Sequence, residues 1–384
     1  MKTAPLTPRR GRGLLTGYFL GLGVVMAVWG ARMPAVQQAA HLSTAHLALV
    51  LLAAALGMVA GLQIAGRLTR PARLPALLTS GGASLAVCLA FLGLCDSLPL
   101  LLTAALAFGI AHGVLDVAAN SAAVRCQNAS GRPIMSSLHA AYSIGALAGA
   151  ALAAVTAHTA HSTLFLATGL VLTGAALAAA TATRSLTGTD QPPAAGPGQD
   201  KTRPALSSGQ LWLLGALAAS SLLGEGAAAD WAAIHLHGLG ASTAVSAAAF
   251  ALYSAAMAIG RLTGDRLTAA FGAPSVVRAG AILAAAGLTI GVVTASTPLA
   301  LAGWAVFGLG LSITVPCLIS AAGVGGPRAV ATVAVTGYLG LLAGPALIGA
   351  LATVTTLSTA LLLPALLAAA VAALAHRALE KPTP

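Results

Sequence analysis

Three acids stand inside long apolar stretches of this chain: Asp116, Glu225 and Asp230. An ionisable group held in hydrocarbon is costly, so such residues are functional candidates by default. His112 lies one turn before Asp116 and Asn120 one turn after it, and the i, i+4, i+8 spacing puts all three on one helical face. That face can exchange a proton or hydrogen-bond the hydroxyls of a polar solute. The plainer alternative is that Asp116 only bonds its neighbours or an adjacent helix. Glu225 is a second candidate for the same work. Asp230, five residues on, lies about 140° further around a helix and so serves another purpose. Its depth matches that of Arg32, which suggests an ion pair at an outer gate; a static pair or a solvated loop would leave the same pattern. His139, Tyr142 and Ser143 can face the same cavity as Asp116, although a lone His in an apolar segment often only packs.

These side chains need elements that cross a bilayer. The 384 residues are 58% hydrophobic and only 7% charged, where soluble domains carry about 25% charged residues. Charge is too scarce to wet a surface of this size, so the remainder must face lipid. A hydrocarbon core about 30 Å thick takes roughly 20 apolar residues as a helix. Twelve such runs are present, near 14–34, 45–66, 74–94, 99–124, 134–157, 162–182, 209–236, 243–262, 275–295, 299–320, 328–352 and 357–376. Hydrocarbon offers no partner for a free peptide group, so each is expected to be helical.

The basic residues support that count. With the N-terminus in the cytoplasm, all of the 19 Lys and Arg except Arg32 fall on the inner side, including Arg261, Arg266 and Arg278 between the eighth and ninth runs. This is the positive-inside pattern of a plasma or inner membrane protein with both termini cytoplasmic. It also accounts for the formal net charge of +11 without a nucleic-acid partner. The N-terminal basic segment runs into a stretch long enough to span, so it reads as the first helix rather than a removable signal.

Residues 183–207 are rich in Pro, Gly and charge and read as a cytoplasmic linker between a first bundle at 1–182 and a second at 208–384. The halves repeat each other at a constant offset. Gly61, Arg67 and Leu68 return as Gly260, Arg266 and Leu267, and Phe108-Gly109 returns at the same offset as Phe307-Gly308. Gly145 and Gly149 are answered by Gly340 and Gly344. These Gly-x-x-x-Gly pairs, with Gly17 and Gly21, read as sites of close helix packing. The expected fold is therefore all-α: twelve transmembrane helices in two pseudo-symmetric six-helix bundles. Cys88, Cys95, Cys126 and Cys317 lack metal-ligand or paired spacing and read as packing residues. No phosphate-binding loop, metal cluster or nucleophile elbow is present, so no cofactor, metal or enzyme activity is expected. Trp29 and Trp231 read as anchors near the outer interface.

Along essentially its whole length the chain resembles the major facilitator superfamily. The stretch Gly260-Arg261-Leu262-Thr263-Gly264-Asp265-Arg266 is similar to that family's cytoplasmic loop signature, and the resemblance implies that Asp265 and Arg266 hold helix ends together in one state of a transport cycle. The first-half copy has Gly66 where the family carries Asp. Asp116-Val117-Ala118-Ala119-Asn120 resembles the carboxylate-x-Ala-x-Asn pattern of the fucose-permease-like branch. Arg132 to His139, Tyr142 to Gly145 and Glu225 to Trp231 resemble a subgroup that includes proposed rhizopine-uptake proteins. Trp29-Gly30 also matches the branch, but Arg32, Gln37 and Gln38 follow where fucose permeases have an acid. Gly344-Pro345 resembles an efflux motif, yet it lies in the eleventh run, and the fifth has Ala150 in place of Pro.

The resemblance implies a monomeric secondary transporter that moves a small polar solute, such as a sugar or inositol derivative, by proton-coupled alternating access. Asp116, Asn120, His112, Glu225, His139 and Tyr142 would line its substrate or proton pathway, and Arg32, Asp230, Asp265 and Arg266 its gates. The alternatives are a proton-coupled exporter of amphipathic compounds, for which 4% aromatics is a thin lining, and a membrane scaffold or sensor that transports nothing.

Overall fold

The computed structural model describes residues 8–186 and 206–380. Most of the expected linker, with Lys201 and Arg203, lies outside the described residues, as do Lys2 and Lys381. No β-strand occurs among the described residues. Twelve helices are long and apolar enough to cross a membrane: α1 Arg9–Ala31, α2 Ala45–Leu68, α3 Pro71–Leu92, α4 Leu98–Ser130, α5 Met135–Val155, α6 His161–Ala178, α7 Ser208–Gly238, α8 Thr243–Phe271, α9 Ala273–Val293, α10 Thr297–Gly325, α11 Pro327–Val354 and α12 Leu357–Leu379.

Several helices outrun their apolar runs, because a helix need not stop where the hydrocarbon does. α4 continues through Arg125 to Ser130, and Gly131 ends it in the left-handed region at φ 64°, as is usual for glycine after a helix. α8 continues to Phe271, so the stretch from Gly260 to Arg266 is helical rather than a loop. Start signals repeat between the halves. The Ser43 hydroxyl accepts the His46 N–H at the head of α2. Ser242, its counterpart at the repeat offset, accepts the Val245 N–H at the head of α8.

The chain divides into two compact units. The first comprises α1–α4, α5 from Ala141, α6, and the Gly326–Ala331 start of α11. Within it α2 packs along α4, and α3 packs along both α4 and α6. The second comprises Met135–Ala140, α7–α10, α11 from Thr332, and α12. There α8 packs along α10, and α9 along α10 and α12, which is the same pattern carried into the second half.

The shared glycines carry that pattern. A Cβ at Gly109 would collide with the Ala54 carbonyl, and one at Gly308 with the Tyr253 carbonyl. Both members of the second contact stand at the repeat offset from those of the first. Gly145 likewise meets the Leu20 carbonyl of α1, and Gly340 the Ala219 carbonyl of α7. Gly17 departs from the packing expectation, since nothing lies within 4 Å of a Cβ built there. Trp29 also departs from its expected place at the interface. It is 5% exposed and packs its ring against Phe108 and Phe165, with centroids 5.3 and 6.1 Å away, because the apolar interior of the unit offers a large indole more contact than the interface does.

Candidate functional site

In the first unit the polar centre sits on α4. Asp116 and Asn120 are 8% and 2% exposed, and His112 is 6% exposed. The Asn120 side-chain amide donates to Asp116 Oδ1 at 3.2 Å and to the Asp116 carbonyl at 3.0 Å. Asn120 Oδ1 is buried and has no hydrogen-bond partner among the described residues. No basic group pairs with Asp116 among the described residues. A buried acceptor and a buried acid, each with bonding capacity left over, form a surface that can take donors from a ligand. Tyr142 and Ser143 of α5 are partly buried in the same unit.

The second unit is built differently. Glu225 of α7 pairs with Arg261 of α8, Oε1 to Nη2 at 3.3 Å, and both side chains are largely buried. Charge patterning along the chain puts Arg261 among the cytoplasmic residues that set topology. It is instead 6% exposed within α8, because the helix runs on past its apolar run and a neighbouring acid satisfies the guanidinium. Arg261 Nε also donates to the Ser312 carbonyl at 3.4 Å. Pro316 explains why that carbonyl is available. It has no N–H to return to residue i−4, which is Ser312, and α10 is broken at Ser312 and Ile313. Gly260 lets α8 come this close, since a Cβ there would meet the Ser312 side chain. The signal that could have exposed Arg261 was the Pro316 break together with an acid facing α8, but neither is visible in local hydropathy.

Asp265 and His139 belong to the second unit as well. The Asp265 carboxylate accepts the backbone N–H groups of Ser136 at 2.9 Å and Ser137 at 3.3 Å. It therefore caps the start of α5, where unpaired amides and the helix dipole favour negative charge. Arg266 is exposed on the same helix end. The first-unit counterpart is unlike it. Gly66 places only its backbone near α11, and a Cβ there would lie 2.6 Å from the Ala331 Cβ. Arg32 is held inside the first unit, donating to the Thr156 carbonyl, to Thr156 Oγ1 at 3.1 Å and to the Ala157 carbonyl at 3.2 Å. Asp230 is exposed in the second. Sequence reading misses His235, whose Nδ1 accepts the Trp304 indole N–H at 3.3 Å deep in the second core. No cluster of three or more His, Cys, Asp or Glu that could hold a metal ion occurs among the described residues.

Two repeated helical units, each with a buried polar centre inside apolar helices, make up a polytopic membrane protein. The chain belongs to the Major Facilitator Superfamily, whose family profile matches residues 14–327. It is similar to the uncharacterized transporter y4wD of Sinorhizobium fredii, with 34% identity over 96% of this chain and 98% of that protein. It is also similar to membrane protein MosC of Rhizobium meliloti, at 27% identity over 88% and 83% of the two chains. Among solved structures, the superfamily transporter FucP in its outward conformation superposes with a TM-score of 0.77 at 19% identity, over 96% of this chain and 99% of FucP. A variant of FucP, described as the E. coli fucose:proton symporter, gives 0.75. At that identity the likeness speaks for the fold. The protein is thus a multi-pass membrane protein and a member of a transporter family.

Proposed function

We propose that the protein is a proton-coupled secondary transporter of a small, hydroxyl-rich solute, working by alternating access in the cell membrane with both termini in the cytoplasm. The observation that carries this reading is the Asp116–Asn120 pair on α4, which among the described residues is an acid without a paired cation and an amide oxygen without a donor. Solute hydroxyls satisfy both groups, and Asp116 supplies the proton-binding carboxylate. Glu225, held by Arg261, serves as the second polar station, with His112, His139 and Tyr142 as further lining. The fucose:proton symport named for FucP supports the solute class and the coupling by fold analogy alone.

Gating follows from the same reading. Asp265 latches α5 in one state and releases it in another, with Arg266 beside it. Arg32 and Asp230 pair in a different state of the cycle. A charge swap, Arg32→Asp with Asp230→Arg, should restore transport lost in each single variant if they do, and the pairing fails if the double variant stays inactive.

The central test is uptake into proteoliposomes under an imposed pH gradient, with a panel of polyols, sugars and inositol derivatives. Solute-linked proton entry that disappears in Asp116→Asn is expected. Uptake of a solute with unchanged proton movement in Asp116→Asn removes Asp116 from the coupling role. An absence of uptake for every polyol and sugar, with amphipathic cations moved instead, overturns the solute class.

A further inference from the structure

Tyr253 of α8 is a buried group that the polar centre of the second unit leaves unused. It is 3% exposed, and its hydroxyl has no hydrogen-bond partner among the described residues. A buried hydroxyl left without a partner costs stability, so it calls for a role that offsets the cost. Packing accounts for the ring but not for the oxygen. The ring stacks on Phe250, with centroids 6.1 Å apart and planes at 17°, and tilts against Phe307 of α10 at 6.0 Å. A phenylalanine would make the same contacts. The helix crossing does not need a tyrosine either. Gly109 makes the equivalent approach in the first unit against the carbonyl of Ala54, which stands at the repeat offset from Tyr253.

The neighbours of that hydroxyl set what it can hold. Tyr253 lies two turns before Arg261 on the same buried face of α8, with Met257 between them. Glu225 and Arg261 both act on the phenol electrostatically, so it stands near the ion pair without being bonded to it. Arg261 takes Glu225 Oε1, and the Glu225 side chain keeps 20% of its surface exposed. No further bond to the carboxylate occurs among the described residues. A carboxylate oxygen accepts and a phenol can donate. Together they match a group that gives one proton and takes another, which is an alcohol hydroxyl. The ion pair is already neutral, so it favours neither a cationic nor an anionic occupant. We infer that, on the transport reading above, Tyr253 is a specificity-determining residue of the second unit. Its phenol donates to one hydroxyl oxygen of the solute, and that same hydroxyl donates to Glu225.

Uptake into proteoliposomes by full-length Tyr253→Phe tests this, with fucose, xylose, mannitol and myo-inositol as probes. For the probe best taken up by the unaltered protein, KM is expected to rise about five- to tenfold, with a smaller change in kcat. Tm without solute should hold or rise, since the variant loses only an unpartnered hydroxyl. Singly deoxygenated analogues of that probe separate a solute hydroxyl from a bound water. One analogue should show a KM raised by about the same factor in the unaltered protein and lose nothing more in Tyr253→Phe. An unchanged KM in Tyr253→Phe, a lower Tm without solute, or an equal added loss for every analogue overturns the inference. If Asp116→Asn still abolishes proton coupling in that case, the transport reading stands without Tyr253. Uptake of no probe at all by the unaltered protein overturns both.

Discussion

The two halves share a scaffold and differ in what is mounted on it. Gly109 touches the Ala54 carbonyl, and Gly308, its counterpart in the repeat, touches the carbonyl of Tyr253, the counterpart of Ala54. The close crossings of α2 with α4 and of α8 with α10 are therefore the same device used twice. At that offset the polar residues do not repeat. Asp116 answers to Val315, Arg261 to Leu62, Glu225 to Met26, and Asp265 to Gly66. Among the described residues, one half carries an acid without a paired cation, and the other an ion pair. Backbone contact restricts glycine positions in both copies alike, because any Cβ there strikes a neighbouring carbonyl. The polar positions named above carry no such backbone contact, and they differ between the halves.

The sharpest way to break this comparison is at the polar centres. Asp116→Asn should abolish solute-linked proton movement while leaving the thermal unfolding profile close to that of the unaltered protein. If flux and coupling survive, the first centre is structural and the asymmetry carries no function. Arg261→Met, by contrast, strands a buried carboxylate and should cost about 3–5 kcal/mol of stability, read as a large fall in Tm. The double variant Glu225→Gln with Arg261→Met should regain most of it. A double variant as unstable as the single one would mean that Arg261 acts through Ser312 and not through Glu225.

Smaller effects test the shared scaffold. Gly109→Ala and Gly308→Ala should each lose about 1–3 kcal/mol, because a Cβ is forced onto backbone that cannot give way. Gly17→Ala should stay within about 0.5 kcal/mol. Unequal losses at Gly109 and Gly308 would show that the crossings are not equivalent. The smallest expected change is at the helix caps. Asp265→Ala should lose about 1 kcal/mol by freeing the first amides of α5. Gly66→Asp should bring no matching gain, since its Cβ would crowd Ala331. A stabilised Gly66→Asp variant would mean that the first half has room for the cap it lacks.

Much of this was legible in the chain itself. Hydropathy is a local property, so twelve runs named twelve helices, and the cost of burying charge singled out Asp116, Glu225 and Asp230, of which Asp230 is exposed. The i, i+4 spacing of Asp116 and Asn120 anticipated their bond, because neighbours on one helix meet whatever the rest of the fold does. Helix ends were less visible. α4 and α8 continue past their apolar runs, since backbone hydrogen bonding does not stop at the edge of the lipid.

What tertiary structure alone decided are the meetings between distant segments. Arg261 reads locally as a cytoplasmic charge, and only the packing of α8 against α7 and the broken α10 turns it into the partner of Glu225 and Ser312. Trp29 reads as an interfacial anchor until Phe108 and Phe165 close over it. Gly17 reads as part of one more packing motif until the fold is seen to leave open space around it. Sequence determined which segments enter the membrane, because transfer free energy adds up residue by residue along a helix. Pairing depends on which faces of separate helices are brought within bonding distance, and no sum along the chain contains that information.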